Sequence, residues 1–147
     1  MLRISGLKPY DIELEIIDLS SEYYDTGNNY GSRRDFALSA KIGGENLSFE
    51  TNDNWLEPEY LRIFLAQLEE LTTVRSGRAR LDFMIPNFLE LFSITGSSGF
   101  IVHCHFEVRG SEPGVLSTVV DFNTVLDSEY VEQAFTDLRQ FFRKALD

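Results

Sequence analysis

The chain has one cysteine, two histidines, one tryptophan and four prolines in 147 residues, and its 13 basic residues are outnumbered by 24 acidic ones. A single cysteine excludes an intramolecular disulfide, and with it a disulfide-stapled scaffold or a spaced cysteine set for structural zinc. The shortage of basic residues leaves a net charge of −11, which repels nucleic acid and anionic lipid and favours a basic protein partner. No apolar run reaches the roughly 18–20 residues that a membrane span needs. The opening "MLRISGLKPYDIELE" is too polar and acidic for a secretory signal, so a cytoplasmic location is expected. Phosphate-cradling loops are missing as well, because "KIGGENLSF" and "SITGSSGF" join strand to strand rather than strand to helix. There is no nucleophile elbow and no zinc-protease signature. No cofactor is expected.

What the chain does have is apolar matter: 43% of it is hydrophobic, with 12 phenylalanines and 6 tyrosines. That is enough for one sizeable core, and a single domain over residues 1–147 is expected. In "DIELEIID" Ile12, Leu14 and Ile16 alternate with Asp11, Glu13 and Glu15, which predicts a strand with one wet face. The stretch at 20–35 has no period and reads as a long loop; "FALSAKI" and "NLSFET" then form a hairpin about Gly43 and Gly44. Glu57 and Pro58 open a helix whose Leu61, Phe64, Leu65, Leu68 and Leu71 recur at helical spacing. "RARLDFMI", "FLELFSIT", "GFIVHCHFEVR" and "GVLSTVVDF" return to alternation and predict a four-stranded antiparallel meander. Val131, Ala134, Phe135, Leu138, Phe141 and Phe142 stripe a closing helix, with Asp127 or Ser128 placed to cap it. The sum is an α+β domain, an antiparallel sheet of about 6–8 strands with two amphipathic helices packed on one face.

The stretch with most chemical character is "GFIVHCHFEVRG", residues 99–110. Alternation sends Phe100, Val102, Cys104, Phe106 and Val108 to one side and His103, His105, Glu107 and Arg109 to the other. Cys104 therefore belongs with the core, and a Cys-His pair built here has its members on opposite faces of the sheet. If "GSEPG" closes a symmetric hairpin, His105 lies opposite Val119 and His103 opposite Asp121, so that His103, His105 and Asp121 are the candidate metal ligands. The same face, with Glu107, reads otherwise as a partner surface or as an ordinary solvated face. Trp55, just ahead of the first helix, is expected to staple that helix to the sheet, with a ligand-stacking role as the alternative.

Charge is unevenly shared: residues 1–60 hold 12 acidic and 5 basic groups, net −7, against 12 and 8, net −4, in the remainder. Asp11, Glu13 and Glu15 form an acidic row suited to attracting a cationic protein.

Four stretches in order, "FALSAKIGGENLSFETNDNWL", "YLRIFLAQLEEL", "GRARLDFMIPNFLELFSITGSSGFIVHCHFEV" and "VVDFNTVLDSEYVEQAFTDLRQFF", carry a resemblance that spans roughly residues 36–142. A glycine-containing strand pair, a helix with a Leu-x-x-Phe-Leu-x-x-Leu rhythm, a further strand pair and an acidic residue before a final "YV…L…L" helix resemble the WapI family of bacterial immunity proteins. Where the family pattern has Asp-Gln before the last helix, this chain has Leu126-Asp127-Ser128. The resemblance implies a non-enzymatic protein of the bacterial cytosol that binds and neutralises the toxin domain of a contact-delivered polymorphic toxin, often a nuclease. The residues themselves admit three readings: an inhibitor-type binding protein using Asp11, Glu13, Glu15, His103, His105 and Glu107; a small metal- or ligand-binding enzyme centred on His103, His105 and Asp121; and a structural adaptor or homo-oligomer.

Overall fold

The computed structural model describes residues 1–19, 36–83, 86–108 and 118–146. The loop expected at 20–35 and the "GSEPG" turn lie outside the described residues. In chain order the elements are β1 (Leu2–Arg3), β2 (Leu7–Lys8), β3 (Asp11–Leu19), β4 (Phe36–Gly43), β5 (Ser48–Leu56), α1 (Pro58–Val74), β6 (Arg78–Asp82), β7 (Phe88–Ser93), β8 (Phe100–Val108), β9 (Thr118–Leu126) and α2 (Val131–Leu146). This is an α+β fold. The strands divide between two antiparallel sheets, one in the order β1-β3-β4-β5 and the other β2-β9-β8-β7-β6. The second contains the expected meander, β6 to β9.

Local chemistry explains the elements. Glu57 is extended at the N-cap of α1 and Pro58 is its first helical residue, where a missing N–H costs nothing. At the other end Arg75 is left-handed (φ 64°) and its N–H donates to the Leu71 carbonyl. An arginine takes this glycine-favoured position while its side chain pairs with Glu132 and lies 5.6 Å from the Phe135 ring centroid, which joins α1 to α2. Asp127 does not cap α2 directly: it precedes a 3₁₀ turn at Ser128–Tyr130 and makes no side-chain capping bond. Gly6 adopts φ +82° beside the Tyr130 ring, which a Cβ at this position would strike.

Both sheets and both helices contribute to one buried cluster, in which Leu61, Phe64, Leu68 and Leu71 of α1 meet Val131, Ala134, Phe135, Leu138 and Phe142 of α2. Phe64 and Phe142 meet edge to face at 5.7 Å, as do Phe100 and Phe135 at 5.2 Å. Two polar junctions tie the sheets together. The Thr124 hydroxyl, fully buried, donates to the Tyr10 carbonyl (2.9 Å) and accepts from its N–H (3.2 Å), just where the chain leaves β2 for β3. Buried Asn54 sits where the β4–β5 register shifts, and its Nδ2 donates to the carbonyls of Leu38 (3.0 Å) and Thr51 (3.2 Å). Its Oδ1 accepts from Asn87 Nδ2 (3.0 Å), and Asn87 Oδ1 accepts the Glu107 N–H at the end of β8 (2.8 Å).

Candidate functional site

One face of the β2-β9-β8-β7-β6 sheet carries its apolar side chains into the core; the other collects most of the chain's unusual chemistry. Strand pairing arranges that outer face in rows. Lys8, Val125, Ile101, Phe92 and Arg78 are consecutive partners across all five strands, an apolar run with a cation at each end. The next row reads Asn123, His103, Glu90 and Arg80, and the one after it Asp121, His105, Phe88 and Asp82. Val119 faces Glu107 beyond them. His105 thus lies opposite Asp121 and His103 opposite Asn123, two residues away from the register a symmetric "GSEPG" hairpin predicts. The alternation of β8 itself is as expected, and Cys104 is fully buried with Phe100, Val102 and Phe106. Burial, together with the nearby negative charge of Asp121, pushes the Cys104 thiol far above its ordinary range, where it is a poor nucleophile.

Phe88 is the hub of the outer face. The Arg80 guanidinium sits 3.9 Å from its ring centroid, His105 stacks on it at 5.6 Å and 8° between planes, and His103 meets it edge-on at 5.1 Å. Arg80 Nε donates to Asp82 Oδ1 at 2.8 Å, while Glu90, whose side chain is 8% exposed, lies 3.6 Å from Arg80 and 3.4 Å from Arg78. Asp121 bridges the histidines: Oδ1 accepts from His103 Nε2 and Oδ2 from His105 Nδ1, both at 2.8 Å. An ionised carboxylate only accepts, so the pairing places a proton on Nε2 of His103 and on Nδ1 of His105. The three candidate metal ligands are thus brought together, as a hydrogen-bonded set. Among the described residues no group of three or more His, Cys, Asp or Glu is arranged to hold a metal ion.

Asp11, Glu13 and Glu15 belong to the other sheet. There Arg3 pairs with Asp11 (3.2 Å), and the row Arg3, Glu13, Lys41, Glu50 alternates in sign across four strands. The acidic row is therefore interleaved with cations, and it shares no sheet with the histidines. A cleft of about 750 Å³ opens beside the outer face, lined by Trp55, Glu57, Tyr60, Arg80, Asp82, Phe83, Pro86 and Asn87. Phe88, Arg80, Glu90 and this cleft were not singled out by sequence reasoning. The signal present was Glu90 centred in "FLELF", since a glutamate on a strand shares its face with the residues two on either side.

The model of the immunity protein WapI-like family matches residues 3–145, nearly the whole chain. The chain belongs to the WapI-like immunity protein family. No curated protein and no solved structure matches it. For an immunity protein the features that matter are those a protein partner can touch, and no helix among the described residues is long and apolar enough to cross a membrane. In this WapI-like chain the aromatic and charged groups around Phe88 are at least partly exposed, and Cys104 is fully buried.

The Asp121 bridge makes a measurable prediction. Burial pushes its carboxyl up, but the hydrogen bonds from His105 and His103, with the charge those imidazoles carry, outweigh it and hold the group below its ordinary value of 3.8. Because the folded value is the lower one, the stabilisation is complete above the ordinary value and is lost as pH falls through the lowered one. The Asp121 side chain is 49% exposed, so the effect is small. Asp121→Asn is expected to lose about 0.2–1 kcal/mol at pH 7, with the difference from wild type shrinking to nothing on the acid limb. Urea midpoints across that limb check it, and a pH-independent difference would count against the bridge.

Proposed function

We propose that this immunity protein is non-catalytic and neutralises a basic, nuclease-like toxin domain in the bacterial cytoplasm by covering it with the outer face of the five-stranded sheet. The observation that carries the choice of face is the Phe88 cluster: aromatic rings, an arginine and two histidines gathered in half-exposed positions, the composition that dominates binding energy at protein interfaces. A nuclease must be basic to hold its substrate, and a chain of net charge −11 attracts such a partner over distances beyond contact. His103, His105 and Glu107 are in this reading docking residues. Asp11, Glu13 and Glu15, on the other sheet, contribute to the long-range field.

The test uses the cognate toxin domain, identified by its co-purification with this protein from native lysate at low salt. Mixed with the protein, the toxin is expected to form a stable complex and lose its activity, with the association rate falling as salt rises from about 50 mM to 300 mM because the Debye length shortens. After separation in denaturant and refolding, the toxin should regain full activity at unchanged mass. A toxin recovered with altered mass or permanent inactivation points instead to catalysis by this protein, and a toxin that stays active while bound overturns occlusion.

A further inference from the structure

The cleft beside the outer face has a chemistry of its own. Three of its walls are aromatic, from Trp55 at the end of β5, Tyr60 in the first turn of α1 and Phe83 just after β6. Two carboxylates, Glu57 and Asp82, line it as well. Its amide and guanidinium groups are already committed. Asn87 donates to Asn54 and accepts from the Glu107 N–H, while the Arg80 guanidinium is held over Phe88 and pairs with Asp82 Oδ1 and Glu90. Glu57 makes no side-chain capping bond to its helix, and Asp82 engages Arg80 through one oxygen. Arg78 and Arg80 pair with Glu90 and Asp82, and Glu57 lines the cleft without an arginine partner among these pairs, so two cations face three carboxylates and the local balance is negative.

We propose that this cleft receives a single arginine side chain of the toxin, an inference that rests on the reading of the protein as a toxin-binding immunity protein. Aromatic walls beside carboxylates fit a guanidinium on both counts: its flat faces stack on rings, and its edge donates paired hydrogen bonds to carboxylate oxygens. Lysine fits less well, because its compact ammonium is more strongly hydrated and cannot stack. An anion is disfavoured by the two carboxylates, and a neutral group would cover them without a compensating partner. At about 750 Å³ the cleft admits the side chain together with part of the backbone that carries it. Arginine is also what a basic, nucleic-acid-binding surface presents in abundance.

The chain's only tryptophan lines the cleft, so its fluorescence reports on occupancy. The full-length protein is titrated with acetyl-Gly-Arg-Gly-amide, with the neutral citrulline isostere and with the lysine peptide. A saturable change is expected with arginine, at least tenfold weaker with citrulline and several-fold weaker with lysine. Glu57→Gln should weaken the arginine response at least fivefold with an unchanged melting temperature, and Glu45→Gln, exposed between β4 and β5, should not alter it. Equal responses to arginine and citrulline, or no saturable change with arginine, overturn the proposal. Co-expression with the toxin separates this failure from that of the parent reading. If wild type and Glu57→Gln protect cells equally, the arginine site is wrong and toxin binding stands; if wild type gives no protection, the parent reading itself fails.

Discussion

Replacing Asn54 with alanine is expected to lower the free energy of unfolding by about 3 kcal/mol, since each buried polar group left without a partner costs about 1–3 kcal/mol and such costs overlap. The side chain is 1% exposed and spends every polar atom it has. Its Nδ2 donates to the carbonyls of Leu38 and Thr51, and its Oδ1 accepts a hydrogen bond from Asn87 Nδ2. Alanine orphans these groups in a dry site, and it also frees Asn87, whose Oδ1 holds the Glu107 N–H. The damage falls at the seam between the sheets, where apolar contacts cannot repair it. Asn52, exposed on the same strand, provides the control and should change stability by less than about 0.5 kcal/mol when replaced. Urea denaturation at pH 7 reads both, with an unchanged slope if the folded and unfolded states keep their compactness. A loss below about 0.5 kcal/mol for Asn54→Ala would show that the sheets are not joined through this residue.

That seam also marks the limit of what the sequence discloses. Period-two alternation reports which face of a strand is wet, and it placed Ile12, Leu14, Cys104, Phe106, Ala79 and Leu81 in the core, where they are. Helical spacing did the same for Leu61, Phe64, Leu68 and Leu71. Neither period says which strand lies beside which. The division into two sheets depends on pairs such as Tyr10 with Thr124 and Asn54 with Asn87, 114 and 33 residues apart, and nothing local encodes them. The candidate site was legible only in part for the same reason. His103 and His105 were readable as neighbours on a wet face, but their joint partner Asp121 depended on a register that differs by two residues from the symmetric expectation. Phe88 was hard to see because β7 is mostly apolar on both faces, and Glu90 is the one residue in it whose charge hints which side Phe88 and Phe92 take. The cleft joins residues 55–60 to residues 80–87, which only the tertiary fold brings together.

Phe88→Ala is expected to weaken toxin binding about 30-fold or more, equivalent to about 2 kcal/mol, the scale of an interface hot spot. The ring does more than offer its own area. It touches the Arg80 guanidinium at 3.9 Å, His105 in a stack and His103 on edge, so three further side chains lose one of the contacts that fix them and keep only their polar partners when it is removed. Truncation therefore converts a preorganised surface into one that must order several long side chains on binding, at about 0.5–1.5 kcal/mol each. Most of the loss should appear as faster dissociation. Neutralising Asp11, Glu13 and Glu15 together acts differently, because Arg3 and Lys41 already interleave that row and it lies on the other sheet. That triple variant should slow association and flatten its salt dependence while leaving dissociation nearly unchanged. The two variants thus assign docking to one sheet and steering to the other. If the acidic triple variant instead accelerates dissociation and Phe88→Ala leaves the complex intact, the toxin sits on the four-stranded sheet and the Phe88 cluster is not its docking face.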